Sequence, residues 1–209
     1  KIEDIKKQNI REENNYAVDT RKEKTEQKMD VSEPLFTIGI KDNVATPKEK
    51  VKKHLAIEIL LNMLIGKSSK LYQELYNKGM LFVTPGVDYE FSRDYAHILI
   101  TGQSKYPEQV YDLFKNAVNE LKKNGIDLEE FERVKKMLYG SFIKEYDEPG
   151  DIARMFIADF FKGINSYEYL DEIATIYEQF VDHMLKEVFV DTLNCDADKV
   201  TMEASLTED

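Results

Sequence analysis

Three histidines and one cysteine are the side chains in these 209 residues best suited to metal or nucleophilic chemistry. Residues four apart share a helix face, so His54 with Glu58 and His183 with Glu187 are the two pairs spaced to hold a metal ion. Zinc needs further ligands within reach, and neither pair has a second histidine nearby in the sequence. His97 lies in an alternating segment and is expected to be a half-buried strand residue. We therefore predict no metal site and no catalytic residue here.

Other catalytic motifs are absent from the sequence as well. It contains no Gly-x-Ser-x-Gly nucleophile turn, no phosphate-binding loop and no dinucleotide-binding fingerprint. Cys195 precedes Asp196, and a neighbouring carboxylate disfavours a reactive thiolate. A single cysteine also cannot form an internal disulfide, so a reducing, cytoplasmic location is expected.

The elements that would position a site follow from apolar periodicity and capping residues. Thr46, Pro47 and Glu49 indicate a helix start, and Gly66 indicates its end. Strands and helices are segregated along the chain, which predicts an α+β fold with an antiparallel or mixed sheet carrying helices on one face. Strands are predicted at residues 25–29, 35–40, 80–91, 94–102 and 199–206. Helices are predicted at residues 46–65, 69–77, 107–124 and 127–146. Pro149 and Gly150 are expected to interrupt the chain before a helix that ends at 162–163, and two more helices are expected after Ser166 and at 177–190.

The acidic side chains outnumber the basic ones by 40 to 29, and the excess is concentrated near the C-terminus. Residues 147–209 contain 16 acidic and 4 basic side chains, a net charge of −12, which leaves +1 for residues 1–146. No stretch offers Lys and Arg without interleaved acids, so nucleic-acid binding is not expected. No apolar run is long enough to predict a membrane span either. The acidic residues of 147–209 are interpreted as lying on solvated helix faces. The alternative is that they form an acidic surface that attracts basic peptides.

One segment carries a resemblance to a known family. Residues 66–79 resemble the Gly-x-x-Ser-x-Leu-(Phe/Tyr)-x-x-Leu-Arg-x-x-x-Gly signature in the C-terminal half of the pitrilysin/insulinase family of zinc metallopeptidases, the inverzincins. Residues 106–110, 125–135 and 139–142 are similar to the segments that follow in that family, so the resemblance covers roughly residues 25–206. Residues 74–80 and 93–97 are most similar to a bacterial branch of small insulinase-like proteins associated by name with modification of elongation factor P.

The resemblance implies a half-domain of the insulinase/mitochondrial-processing-peptidase type at residues 25–209, preceded by an arm or linker at residues 1–24. In this family two α+β halves close over an unfolded peptide, and the His-x-x-Glu-His zinc helix lies in the N-terminal half. That motif is absent here, so the resemblance implies the C-terminal, chamber-forming and substrate-binding half of a zinc metallopeptidase. Zinc is then expected only in a missing N-terminal half, and the first methionine, Met29, fits a longer polypeptide.

The resemblance also points to two substrate-binding residues. Active relatives place an Arg and a Tyr seven residues apart, where they donate to the substrate carbonyl. Tyr76 occupies the Arg position here, and the Tyr position falls at about Phe82. A phenol can donate one hydrogen bond but cannot replace a guanidinium, and Phe82 donates none. The alternative reading is that both are ordinary packing residues.

These substitutions leave the function of the whole protein open. The 209 residues alone are predicted to be inactive. Their expected partners are the N-terminal half of the same polypeptide and a peptide substrate, and the chain could also form a homo- or hetero-dimer. Neither nucleic acid nor a membrane is expected as a partner. One alternative is a catalytically inactive insulinase-like binding or scaffolding subunit, which the loss of the Arg motivates. Another is an unrelated cytosolic interaction domain.

Overall fold

A computed structural model describes residues 24–164 and 200–206 of the chain. The described part forms one mixed sheet in the order β1-β5-β2-β4-β3, in which β1 and β5 are parallel and all other neighbours are antiparallel. The predicted α+β class is confirmed. The strands are β1 (Lys24–Lys28), β2 (Leu35–Asp42), β3 (Gly86–Phe91), β4 (Ala96–Gln103) and β5 (Val200–Leu206), and the helices are α1 (Pro47–Ile65), α2 (Lys70–Asn77), α3 (Pro107–Asn124), α4 (Leu128–Glu145) and α5 (Pro149–Lys162).

The sheet buries one face, as the alternation of its strands predicts. On β2 and β4, Ile38 pairs with Ile100 and Ile40 with Ile98, and all four side chains are fully or almost fully buried. Because successive strand residues point to opposite faces, the intervening residues form a second, more polar face. We call this second face the open face, since none of its residues belongs to the buried core of the described chain; it includes Thr37, Lys41, Asp88, Glu90, His97 and Thr101.

Helix α1 is the centre of the helical side. It begins after Thr46, whose backbone N–H and hydroxyl both donate to the Glu49 carboxylate, at 3.4 and 2.5 Å. It contacts β3 as well as α2, α3 and α4, so its apolar residues are buried on nearly all sides. Phe131 and Val134 of α4 and Phe114 of α3 complete the core. None of the described helices is both long enough and apolar enough to cross a bilayer.

The predicted strand at residues 80–91 is wrong in its first half, because β3 begins only at Gly86. The backbone N–H groups of Met80 and Leu81 donate to the Leu75 carbonyl, at 2.9 and 3.3 Å, and so belong to the turn that ends α2. Gly79 makes that turn possible with a φ of 68°. The helices predicted after Ser166 and at residues 177–190, together with His183 and Cys195, lie outside the described residues.

Candidate functional site

The two predicted substrate-binding residues flank the turn that ends α2. This helix starts at Ser69, whose hydroxyl accepts a hydrogen bond from the Tyr72 backbone N–H at 3.1 Å. It ends in paired hydrogen bonds, from Gly79 N–H to the Tyr76 carbonyl at 3.0 Å and from Met80 N–H to the Leu75 carbonyl. This pairing is a Schellman motif, which fixes the path of the chain after the helix. The turn therefore has a defined geometry.

Tyr76 and Phe82 both point to the surface rather than into the core. Tyr76 is 51 % exposed and Phe82 is 75 % exposed, while Leu81 between them is fully buried and anchors the segment. Val83 is exposed to the same degree as Phe82. We call Tyr76, Phe82 and Val83 the hook. Both rings thus lie largely outside the core, and the Tyr76 ring lies 6.2 Å from the Tyr72 ring.

The hook leads directly into β3, which lies at one edge of the sheet. On its inner side β3 pairs with β4, and no other described strand pairs with it. Tyr89 and Phe91 are buried, whereas Gly86, Asp88 and Glu90 are exposed. An edge strand presents unpaired backbone N–H and C=O groups, to which an extended peptide can add as a further strand.

A buried carboxylate holds this edge strand in place. Asp42, at the end of β2, accepts hydrogen bonds from the Tyr89 hydroxyl at 2.9 Å, from Lys53 Nζ at 2.8 Å and from the Asn43 backbone N–H at 2.7 Å. Burial raises the pKa of Tyr89, and the negative charge of Asp42 and the hydrogen bond to it raise that pKa further. The phenol therefore stays protonated throughout the physiological pH range, and its hydroxyl donates a hydrogen bond to Asp42. The network ties β2, β3 and α1 together.

The described residues do not fit a zinc site. His54 Nε2 lies 3.3 Å from Glu58 Oε1, and its ring packs on Phe91 at 5.3 Å and Tyr89 at 6.0 Å. His97 lies on the open face, stacked on the Tyr95 ring. Zinc requires three or four ligands, and residues 24–164 and 200–206 contain no group of three or more His, Cys, Asp or Glu placed to hold a metal ion.

One concave feature of the described residues lies on the helical side and was not predicted. A groove of about 660 Å³ lies between α1, α4 and α5, and we call it the helical groove. Its carboxylates come from three separate helices, so no local sequence pattern signals them. Its apolar lining is Val51, Leu55, Leu138, Phe142, Met155, Ala158 and Ile164, and its polar lining is His54, Glu58, Ser141, Glu145, Tyr146, Asp151, Arg154, Asp159 and Lys162.

Comparisons with known proteins agree with this architecture. Residues 3–138 match the family model described as the peptidase M16 inactive domain. A Bacillus subtilis protein named as an uncharacterized zinc protease, YmfH, is 29 % identical over 188 residues, which cover 88 % of this chain and 42 % of that protein.

Solved structures share the fold. A protein from Alicyclobacillus acidocaldarius described as an M16-like peptidase superposes with a TM-score of 0.83 at 20 % identity, covering 92 % of this chain and 45 % of that one. A peptidase M16 inactive domain from Pseudomonas fluorescens gives a TM-score of 0.64 at 18 % identity, covering 89 % of this chain and 43 % of that one. The chain thus spans less than half the length of these relatives. It belongs to the M16 peptidase family, as an inactive domain of that family.

Proposed function

We propose that this chain is the chamber-forming and substrate-binding C-terminal half of a zinc-dependent peptidase, whose zinc lies in an N-terminal half. The observation that carries the proposal is the hook, whose exposed side chains lie on a turn of defined geometry next to β3, a strand with only one neighbour among the described strands. Family membership supports it, since inactive domains of this family accompany a catalytic one. The same proposal places the chain in the bacterial branch associated by name with modification of elongation factor P, because residues 74–80 and 93–97 are similar to that branch.

The open face supplies a surface for the preceding half. It is polar and crosses three strands, with Glu90 opposite His97 and His97 opposite Lys41. The helical side, by contrast, contains the buried core around α1. A second half that covered the open face would leave the hook and β3 at the rim of the space between the halves. A peptide in that space could add to β3 through its main chain and place a side chain against Phe82.

In this proposal Tyr76 takes the position of the arginine that donates to the substrate carbonyl in active relatives, but it can do so only in part. Its hydroxyl can donate one hydrogen bond to a substrate carbonyl as negative charge develops there. It supplies no positive charge, so transition-state stabilisation by this half is weaker than with a guanidinium. The same loss would be harmless in a scaffolding subunit.

The test is made on the polypeptide that contains both halves, with zinc-dependent cleavage of a fluorogenic peptide as the readout. Tyr76→Phe removes only the hydroxyl and is expected to lower kcat about tenfold with little change in KM, because the hydrogen bond strengthens in the transition state. Phe82→Ala is expected to raise KM about tenfold, because an apolar side chain loses its contact with the peptide. Phe161→Ala, at an equally exposed ring on α5, is the control and should change neither constant.

Two results would overturn the proposal. If the preceding residues contain no His-x-x-Glu-His motif and the whole protein binds no zinc, the inactive scaffolding subunit is the correct reading. If the protein is an active zinc peptidase but the hook variants match the control, this half does not bind substrate through the hook. Strand addition has its own test, since a peptide methylated at alternate backbone nitrogens should bind more weakly than its unmethylated parent.

A further inference from the structure

Helix α5 stands apart from the rest of the helical side. None of its residues is buried, although it contains Met155, Phe156 and Ile157 in one run. Its C-terminus is fixed by Lys50 of α1, whose buried Nζ donates to the Lys162 carbonyl at 3.0 Å and to the Ser92 carbonyl at 2.9 Å. Lys50 thus ties the C-terminal end of this helix to α1, while the side chains along the helix are half-buried or exposed. The helical groove is the space that remains between α5 and the helices α1 and α4.

The helical groove combines apolar walls with an acidic rim. Its volume of about 660 Å³ falls within the usual range for ligand pockets, roughly 300–1,000 Å³. Leu138, Phe142 and Met155 provide part of the apolar wall. This lining suits apolar side chains of a ligand, and a bare metal ion would find no set of ligands there among the described residues.

The charges of the helical groove are unevenly compensated. Arg154 forms an ion pair with Asp151, and His54 lies next to Glu58. The ammonium of Lys162 lies 4.8 Å from the centre of the Phe91 ring. Glu145, in contrast, forms no ion pair within the described part of the chain. Burial raises the pKa of Glu145, the charges of Glu58, Asp151 and Asp159 raise it further, and His54 acts in the opposite direction. A cation at this point would relieve that repulsion.

We propose that the helical groove binds a basic, amphipathic peptide segment of a partner protein. An apolar side chain of the segment would pack against Leu138, Phe142 and Met155, and a Lys or Arg would pair with Glu145. The groove lies on the helical side, while the hook and the open face do not line it. The inference therefore does not depend on the proposed peptidase function, and it would hold equally for a scaffolding subunit.

The test uses the full chain and a fluorescein-labelled hexapeptide, Leu-Arg-Leu-Leu-Lys-Leu, with fluorescence anisotropy as the readout. Ala158→Trp fills the groove from an exposed helix position and is expected to weaken binding at least about tenfold. Ala153→Trp places the same ring on α5 outside the groove and should bind as the parent chain does. Circular dichroism checks that both variants are folded.

A second pair of variants tests the charge. Glu145→Gln is expected to weaken binding about threefold, as for one partly exposed ion pair, while Glu129→Gln at the other end of α4 should have no effect. A hexapeptide with Glu in place of Arg and Lys should bind at least about tenfold more weakly. Equal binding by both Trp variants, or equal binding of the two peptides, would overturn the proposal. A dimer of the chain that only Ala158→Trp dissociates would assign the groove to a second copy instead.

Discussion

Replacing Asp42 with asparagine should destabilise the fold more than any exposed charge change. The carboxylate is almost fully buried and accepts three hydrogen bonds, from Tyr89, Lys53 and the Asn43 backbone. An amide keeps one acceptor oxygen but turns an NH₂ group toward a donor, and Lys53 loses its counter-charge. Removing one partner of a buried ion pair costs about 3–5 kcal/mol. Lys53 retains some contact with solvent, so we expect about 3 kcal/mol here.

Urea unfolding followed by circular dichroism measures this change. For a chain of this size about 1 kcal/mol corresponds to roughly 2–4 °C in Tm, so Asp42→Asn should lower Tm by roughly 6–12 °C. Asp88→Asn on the exposed side of β3 is the matched control, expected to change the unfolding free energy by less than about 0.5 kcal/mol. A loss below about 1 kcal/mol for Asp42→Asn would refute the reasoning, because the network would then carry no net stability.

Three further predictions concern stability. The raised pKa of Glu145 means that the folded chain binds this proton more tightly than the unfolded chain, so stability falls as the pH rises through that pKa. Glu145→Gln should accordingly raise Tm by about 1 °C at pH 7 and leave it unchanged at pH 4, as thermal melts would show. Gly79→Ala should cost about 1–2 kcal/mol because of the positive φ, whereas Gly140→Ala inside α4 should gain about 0.5–1 kcal/mol, both by urea unfolding. Lys50→Met should cost about 1–3 kcal/mol and accelerate amide hydrogen exchange at residues 159–164.

Sequence periodicity was sufficient for most of the elements. The capping residue Thr46 and the proline Pro107 predicted the starts of two long helices within a residue or so, because these features act locally. Pro149 was expected to precede the next helix, whereas it is the first residue of that helix. The alternation of residues 94–102 correctly identified the buried face of β4. The error at Met80 arose where a local β-pattern competed with the hydrogen bonds that end α2, which a pattern of side chains does not reveal.

The candidate sites divide in the same way. Tyr76 and Phe82 could be selected because a motif marks their positions, but only the folded turn shows that both are exposed. The helical groove could not be predicted, since Glu58, Glu145 and Asp159 come together only when three helices pack. Asp42 and Tyr89 are 47 residues apart, and their hydrogen bond depends on the pairing of β2, β4 and β3.

The position of β5 in the sheet constrains the order in which the domain can be completed during synthesis. This strand, at residues 200–206, lies between β1 and β2 and is the only described neighbour of β1. Once residues 1–164 have left the ribosome, this part of the nascent chain can form β2, β3, β4 and the helices around α1. Strand β1 can pair with β5 only after residue 206 has left the exit tunnel. Non-local pairing of this kind slows folding, so shortening the chain before residue 200 would leave two strand edges open to aggregation.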